Sequence, residues 1–236
     1  GIESTFVSPD ATEEELNAAF KDNTRAMFGE SIANPALTVL DIELFAKVAH
    51  EHGVPLIVDN TFPTPVNLRP IEWGADIVTH STTKYMDGHG AGVGGCIVDS
   101  GNFDWMAHAD KYPGLTTKDD TYHGIVYAEK FGNEGAYITK ATSQLMRDLG
   151  CIQSPQNAYL LNLGLESLHV RVPRHCENAL AVAKFLQGHD KVNFVTYPLL
   201  EGDRYYDRAM KYLKNGACGV VSFEIKGGRE AALKFM

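Results

Sequence analysis

The sequence predicts an α/β fold, in which a large, mostly parallel sheet flanked by helices precedes a smaller α+β unit toward the C-terminus. Three observations support this prediction. A helical pattern of apolar residues precedes the continuous apolar run VPLIVDN at 54–60. Two further apolar runs follow at short spacing, at 76–81 and 94–100. Beyond them, helical spacing dominates until a second pair of strand-like runs begins, at 192–198 and 219–225.

The first two predicted helices have recognisable ends. Thr12 and Glu15 form a capping-box pattern at the start of the first helix. Asp41 is placed to cap the second helix, and Gly53 to end it, because glycine tolerates the left-handed backbone that closes many helices. The apolar residues at helical spacing are Leu16, Ala19 and Phe20 in the first helix and Ile42, Phe45, Ala46 and Ala49 in the second.

The strands of the large sheet follow the second helix. The run at 54–60 is rich in β-branched residues and has the composition of a central parallel strand covered on both faces. The runs DIVTHS at 76–81 and GGCIVDS at 94–100 repeat this style, so strands outnumber helices in this stretch. Each run ends in polar residues.

The pattern changes near Ser154. One helix is predicted over the apolar positions from Ala158 to Leu168, and a second beyond Pro173, because proline interrupts a helix interior. The strands at 192–198 and 219–225 then form the smaller α+β unit, separated by a charged segment. We therefore expect two closely packed parts, with a boundary near residue 154.

Composition limits the classes of function. Hydrophobic residues make up 44% and charged residues 22% of the 236 residues, as in folded globular proteins. The formal net charge of −9 disfavours nucleic acid and anionic lipid as partners. No apolar run reaches the ~20 residues that span a bilayer, and no signal peptide pattern opens the chain, so we expect a soluble, cytoplasmic protein.

Two further features concern cofactors and chain ends. The four cysteines, at positions 96, 151, 176 and 218, lack the clustering of zinc ligands, so we expect reduced structural thiols and no metal. No GxGxxG motif opens a helix after a first strand, which argues against a dinucleotide-binding dehydrogenase. The chain opens on Gly1 and ends on Met236, directly after a helical pattern begins, so we expect a fragment of a longer protein.

The most informative segment is HSTTKYMDGHG at 80–90, where Lys84 follows small hydroxyl residues at a strand end. A lysine in this position can hold an aldehyde as a Schiff base while Ser81 and Thr83 donate to a phosphate group. This combination fits pyridoxal phosphate (PLP). The alternative is a surface lysine in a turn rich in serine and threonine.

Asp59 is the second candidate, because it ends a buried-looking strand, and ligands of open α/β sheets bind at the carboxyl ends of strands. A carboxylate at this position needs a cation. The pyridinium nitrogen of PLP would be one, and the ion pair would keep that nitrogen protonated. The alternative is that Asp59 only caps a turn before Thr61 and Pro63.

Several segments, in order and at matching spacing, resemble the Cys/Met-metabolism family of PLP enzymes of fold type I. The resemblance covers nearly the whole chain, and the later segments are most similar to the O-acetylhomoserine sulfhydrylase branch. The first set is ESIANP at 30–35, VDNTFPTP at 58–65, HSTTKYMDGHG at 80–90 and GGCIVDSGNFDW at 94–105. The later set is YHGIVYAEKFG at 122–132, the run RDLGCIQSPQNAYLLNLGLESLHVRVPRHCENA at 147–179 and GVVSFEIKGG at 219–228.

The resemblance implies a role for each matching residue. Lys84 would be the Schiff-base lysine and catalytic base, Asp59 the partner of the pyridine nitrogen, and Ser81 and Thr83 phosphate contacts. Asn34 matches the family asparagine near the ring hydroxyl, although a turn-former before a proline explains it equally well. The resemblance also implies that residues 1–153 are part of the large PLP-binding domain. Residues 154–236 would be linking helices and part of the small C-terminal domain.

The implied reaction is a γ-replacement on O-acetyl-L-homoserine, with sulfide or a thiol, which gives homocysteine or methionine plus acetate. Methionine γ-lyase and cystathionine γ-synthase are the alternatives within the family, and an inactive structural or interaction domain is the alternative outside it. The family also implies a homo-oligomer, a dimer or tetramer. A glycine phosphate loop, a stacking tyrosine and a substrate-binding arginine would lie outside these residues.

Other residues near the candidate site receive no role. His80 and His89 flank the lysine segment, but histidines beside turns are more often packing or solvent contacts. The arginines at 147, 171 and 174 and His175 lie on the predicted helices, where we expect arginines to form ion pairs. The glycines between 88 and 95 are attributed to turns.

Overall fold

The computed structural model describes residues 1–236 and contains an α/β sheet followed by a smaller two-stranded sheet. In chain order the elements are α1 (Glu13–Ala19), β1 (Met27–Glu30), α2 (Ile42–Glu51), β2 (Leu56–Asp59), α3 (Thr64–Asn67), a 3-10 helix (Pro70–Trp73), β3 (Ile77–Ser81), β4 (Gly95–Asp99), α4 (Pro113–Thr116), α5 (Tyr127–Lys140), a π-helical segment (Ala141–Met146), α6 (Arg147–Leu149), α7 (Pro155–Gln187), β5 (Val192–Thr196), α8 (Tyr206–Tyr212), β6 (Ser222–Ile225) and α9 (Gly228–Phe235).

The large sheet has the order β1-β2-β3-β4. Its first three strands are parallel, and β4 pairs antiparallel with β3, so the predicted mostly parallel sheet is confirmed. Each of the five predicted runs contains one strand, β2 to β6, and extends beyond it by one to three residues at one end or both, whereas β1 was not predicted from the sequence. β5 and β6 form the separate antiparallel pair.

The predicted helix ends are mostly confirmed. At α1, the Glu15 N–H donates to Thr12 Oγ1 at 3.2 Å, and the Thr12 N–H donates to Glu15 Oε2 at 2.8 Å. Gly53 has a left-handed φ of 61° after α2. Asp41 occupies the N-cap position of α2, but its side chain makes no capping hydrogen bond. It accepts a hydrogen bond from the Tyr212 hydroxyl at 2.5 Å instead, a contact with a residue far along the chain.

The expectation of two helices separated at Pro173 is wrong, because α7 continues through this residue from Pro155 to Gln187. A proline inside a helix removes one main-chain hydrogen bond and crowds the preceding turn. Here the helix buries side chains on both sides of the proline, among them Leu168, Val172 and Cys176. This packing on one face keeps the two halves in a single helix.

The largest core cluster contains 27 buried residues and lies between the large sheet, α2 and the C-terminal part of the chain. Ile42 and Phe45 of α2 pack in the same cluster as Leu56 and Val58 of β2. Residues beyond position 154 contribute as well, namely Ala179, Ala183, Tyr197, Leu200, Tyr205, Ala209, Tyr212, Leu213, Ala217 and Cys218. We propose that the two parts divided near residue 154 are domains that pack around this shared core.

Two general features complete the description of the fold. None of the helices is both long enough and apolar enough to cross a lipid bilayer. The cysteines are free thiols: Cys176 and Cys218 are buried, Cys96 is half-buried and Cys151 is exposed. Burial raises the pKa of the Cys218 thiol to about 12, so this group stays protonated at neutral pH.

A buried carboxylate at the amino end of β3 leads to a prediction about pH. Asp76 is 3% exposed, and its Oδ2 lies 2.7 Å from His50 Nε2 and accepts a hydrogen bond from the Leu56 N–H at 2.8 Å. The hydrogen bond to Asp76 raises the pKa of His50 above its ordinary value of 6.5. A raised pKa in the folded state means that the protonated histidine stabilises the fold.

The contribution of His50 is fully present below pH 6.5 and is lost as the pH rises through the folded-state pKa. Because the His50 side chain is 43% exposed, solvent screening keeps the expected loss below about 1 kcal/mol. Urea unfolding of the wild type and of His50→Gln at pH 5.5 and pH 9 would measure it. We expect the stability difference between the two proteins to shrink at pH 9; an unchanged difference would contradict the assignment.

Candidate functional site

The carboxyl ends of the three parallel strands meet at one edge of the large sheet. The register pairs Glu30 of β1 with Asp59 of β2, and Asp59 with Thr79 of β3. Because β4 is antiparallel, its first residue, Gly95, lies opposite Ser81 at the end of β3. This edge is where open α/β sheets bind ligands.

A cavity of about 1140 Å³ extends along one face of the large sheet, from Pro55 and Ile77 at the amino ends of β2 and β3 to this edge. Asp59, Thr79 and Ser81 line it from the sheet, and the start of β4 contributes Gly95 and Cys96. Residues of α4, α5 and the π-helical segment line other parts of it, and many of these are apolar. The combination of a wide apolar surface and a few polar groups at a strand edge is typical of a small-molecule site.

Asp59 is half-buried at the end of β2 and forms no ion pair. Its Oδ1 accepts a hydrogen bond from the Thr61 N–H at 2.9 Å, which is the turn-capping contact expected of a strand-end aspartate. Its second carboxylate oxygen has no hydrogen-bond partner within the chain. The negative charge is therefore free to pair with a cation in the cavity.

Thr61 joins the ends of two strands, and the sequence analysis missed this role. Its N–H donates to Asp59, and its Oγ1 accepts a hydrogen bond from the Ser81 N–H at 2.8 Å. The position of Thr61 two residues after a strand-end aspartate was the available signal, because aspartate commonly caps the second N–H that follows it. Thr61 thereby fixes the spacing between Asp59 and Ser81.

Residues 82–94 connect β3 to β4, and we call them the lysine loop. The Thr83 hydroxyl donates to the Gly94 carbonyl at 3.2 Å and accepts from the Gly94 N–H at 3.0 Å, which closes the two ends of this loop. Lys84 follows and is exposed, and its Nζ has no hydrogen-bond or ion-pair partner. The Lys84 N–H donates to the Ser81 carbonyl at 3.2 Å, so the lysine begins a tight turn.

The structure places the predicted site residues at one edge of the sheet, but only some of them line the cavity. Asp59 and Ser81 line the cavity, whereas Asn34, Thr83 and Lys84 lie outside the lining residues. Asn34 is exposed in the turn after β1, where its N–H donates to Glu30 Oε2 at 3.2 Å. Its side-chain amide makes no hydrogen bond with the chain, and neither does the Ser81 hydroxyl.

His80, which received no role from sequence, is only 5% exposed. Burial lowers its pKa, and the nearby Asp59 carboxylate opposes this effect only in part, so the imidazole is neutral at pH 7. Its Nδ1 is buried without a hydrogen-bond partner. Neither the lowered pKa nor the missing hydrogen bond at Nδ1 identifies a chemical role for His80.

Fold and geometry together describe an α/β protein with a candidate small-molecule site at the carboxyl edge of its sheet, where Asp59 has an unpaired carboxylate oxygen, Ser81 has a free hydroxyl and Lys84 follows in the next loop. Comparison with known proteins identifies the family of this α/β protein. The family model of the Cys/Met metabolism PLP-dependent enzymes matches residues 1–236, and the chain belongs to this family. The predicted family is thereby confirmed.

Individual relatives agree with the family match. The chain is 48% identical over 235 residues to a homocysteine synthase of Schizosaccharomyces pombe, covering 99% of this chain and 54% of that protein. It is 45% identical over 244 residues to an O-acetyl-L-homoserine sulfhydrylase of Leptospira meyeri, covering 100% of this chain and 54% of the relative. The chain therefore spans about half the length of the curated relatives that it matches.

A solved structure shares the fold. A protein of Campylobacter jejuni described as an O-acetylhomoserine (thiol)-lyase superimposes with a TM-score of 0.83 at 35% identity, over 90% of this chain and 52% of that chain. That crystal structure contains an N'-pyridoxyl-lysine-5'-monophosphate, a lysine joined to the cofactor. The likeness confirms the predicted fold class, a mostly parallel sheet flanked by helices.

Proposed function

We propose that the protein is a PLP-dependent transferase that replaces the acetoxy group on the γ-carbon of O-acetyl-L-homoserine by sulfide or a thiol, giving homocysteine or methionine plus acetate. The observation that supports this most directly is the 48% identity to a homocysteine synthase over 99% of the chain. At this level of identity along the whole chain, relatives usually share their reaction class, whereas a shared fold alone would not establish function.

The residues present fit the cofactor. Asp59 offers an uncompensated carboxylate to the pyridinium nitrogen, and the Ser81 hydroxyl is free to donate to the phosphate group. Thr83 would join Ser81 once its hydroxyl exchanges Gly94 for the phosphate. Asn34 would place its free amide near the ring hydroxyl, and the unpaired amine of Lys84 would bond to the aldehyde.

When bound, PLP draws electrons from the substrate α-carbon and so makes its proton acidic. The remaining proton transfers and the orientation of the cofactor depend on residues of the chain. Asp59 holds a proton on the ring nitrogen by charge pairing, which the structure favours because no other cation occupies this carboxylate. Lys84 takes the proton from the substrate α-carbon and returns a proton later in the reaction, as a general base and acid. Ser81 and Thr83 fix the orientation of the phosphate end.

The proposal is tested by an activity assay of the full-length protein saturated with PLP. With O-acetyl-L-homoserine and sulfide we expect homocysteine and acetate in equal amounts, and no product when sulfide is omitted. Formation of 2-oxobutyrate and ammonia without sulfide would instead identify a γ-lyase, and cystathionine formed from added cysteine would identify a γ-synthase. A folded protein that does not bind PLP would leave only a structural or interaction role.

We also propose a homo-oligomer in the cytoplasm. Support for self-association comes from exposed apolar side chains along α7, where Tyr159, Leu163 and Val170 are 58%, 43% and 59% exposed. Such a stripe on a helix is typical of a surface that another subunit covers. Support for the cytoplasm comes from four free cysteines and from the amino-acid substrate.

A further inference from the structure

The main chain of the turn that follows Lys84 accepts hydrogen bonds from Arg171 of α7, and the Tyr85 hydroxyl accepts another from the Gly219 N–H at 3.0 Å. Arg171 Nη1 donates to the Tyr85 carbonyl at 2.9 Å, directly after the lysine. Its Nη2 donates to the Gly164 carbonyl of α7 at 2.8 Å, and its Nε donates to Ser167 Oγ at 2.8 Å. One guanidinium thus joins the main chain of the lysine loop to the main chain of the helix.

Helix and loop fit closely at this point. A Cβ atom at Gly164 would overlap the carbonyl oxygens of Met86 and Asp87, and one at Gly88 would overlap the Arg171 guanidinium. Gly88 also has a left-handed φ of 72°, which side chains rarely adopt. Glycine at both positions lets the loop approach the helix and brings the arginine within hydrogen-bond distance.

The other arginines of this region behave as the sequence analysis expected. Arg147 pairs with Asp148 at 2.8 Å, and Arg174 pairs with Glu177 at 3.2 Å. Both of these arginines are more than half exposed. For Arg171 the expectation of an ion pair is wrong, because all of its hydrogen bonds go to main-chain carbonyls and one serine hydroxyl.

We propose that Arg171 is a positioning residue for Lys84. By holding the Tyr85 carbonyl, it fixes the turn from which the Lys84 amine reaches the cofactor aldehyde and the substrate α-proton. This inference rests on the proposed PLP function. A planar guanidinium donates to carbonyls on two elements at once from a rigid fork, whereas a lysine ammonium is a compact point charge on a flexible stem and lacks this fixed geometry.

The test compares Arg171→Ala and Arg171→Lys with a matched control, Arg174→Ala, which removes an exposed arginine of the same helix. The full-length protein is used. Hydrogen–deuterium exchange of the turn after Lys84, measured without cofactor, is expected to accelerate at least about tenfold in both Arg171 variants and not in the control, because this turn loses the hydrogen bonds from the guanidinium of Arg171.

Cofactor-loaded protein gives the second readout. We expect the visible circular dichroism per bound PLP to fall in both Arg171 variants, and kcat to fall about 100-fold with little change in KM for O-acetyl-L-homoserine, because a misplaced lysine affects the reaction more than binding. A low, non-denaturing concentration of free guanidinium should restore part of the kcat of Arg171→Ala. A residue that only stabilised the fold would lower Tm without changing the dichroism per bound cofactor.

The outcomes separate the two proposals. A wild type that does not bind PLP overturns the proposed function and this inference with it. A wild type that binds PLP, with Arg171→Lys showing the same kcat and the same dichroism, overturns the inference alone. If Arg171→Ala does not fold, the lysine variant decides, because it keeps the charge and most of the side-chain volume.

Discussion

Lys84→Ala is expected to abolish the visible absorbance band of lysine-bound PLP and to lower homocysteine formation by at least about 10²–10⁴-fold, the usual contribution of a general base. The reason is that the lysines lining the cavity, Lys111 and Lys140, are both engaged in other hydrogen bonds. Lys84 is the only lysine between positions 48 and 110, and its amine is free of partners in the structure. Absorbance titration with PLP and a sulfide-dependent assay measure the two effects.

Two other lysines line the cavity and provide matched controls. Lys111 Nζ donates to the His52 carbonyl at 2.5 Å, and Lys140 Nζ pairs with Asp119 at 2.9 Å. Because both amines are engaged, Lys111→Ala and Lys140→Ala should keep the band. Borohydride reduction followed by peptide mass spectrometry should place the pyridoxyl group on Lys84; finding it on Lys111 or Lys140 would refute the assignment.

Asp59→Asn is expected to lower kcat by about 100-fold, comparable to the loss of one oriented electrostatic contact in other enzymes. The substitution is selective. Asparagine keeps the Oδ1 atom that accepts the Thr61 N–H, so the turn after β2 is retained while the charge is removed. An uncharged amide does not hold a proton on the ring nitrogen, and the substrate α-proton is then less acidic. Steady-state kinetics at saturating PLP measures the change.

Asp99→Asn is the control for the charge. Asp99 also ends a strand, and its Oδ1 accepts the Gly101 N–H at 3.1 Å, so the local geometry matches that of Asp59. It lies opposite Ile77, at the other end of β3 from the candidate site. We expect its variant to keep the wild-type kcat. Equal losses in both variants would show that Asp59 acts through the fold and not through its charge.

Sequence alone did not predict β1 (Met27–Glu30), but it predicted the other five strands and the edge of the sheet where the candidate residues meet. This succeeded because apolar runs that end in polar residues are local patterns, and parallel strands bring their carboxyl ends together. The same local reasoning placed Asp59 and Ser81 at this edge, where both line one cavity.

Contacts between distant parts of the chain were not predictable in this way. Arg171 lies 86 residues from Tyr85, and nothing in its own segment indicates that it will contact this carbonyl. The pairing of Thr83 with Gly94 likewise depends on how the lysine loop closes. The break predicted at Pro173 is wrong because local propensity favours a break, whereas burial along one face favours a continuous helix.

The continuity of α7 has a consequence for how the protein unfolds. At 33 residues the helix is about 50 Å long. It contacts the lysine loop through Gly164 and Arg171, contributes Ala179 and Ala183 to the core, and packs against β5. Because one rigid element joins all three regions, opening any of them exposes surface in the others. The lysine loop and the small sheet therefore belong to a single cooperative unit. A substitution that destabilises the small sheet lowers the fraction of molecules in which the lysine loop is folded.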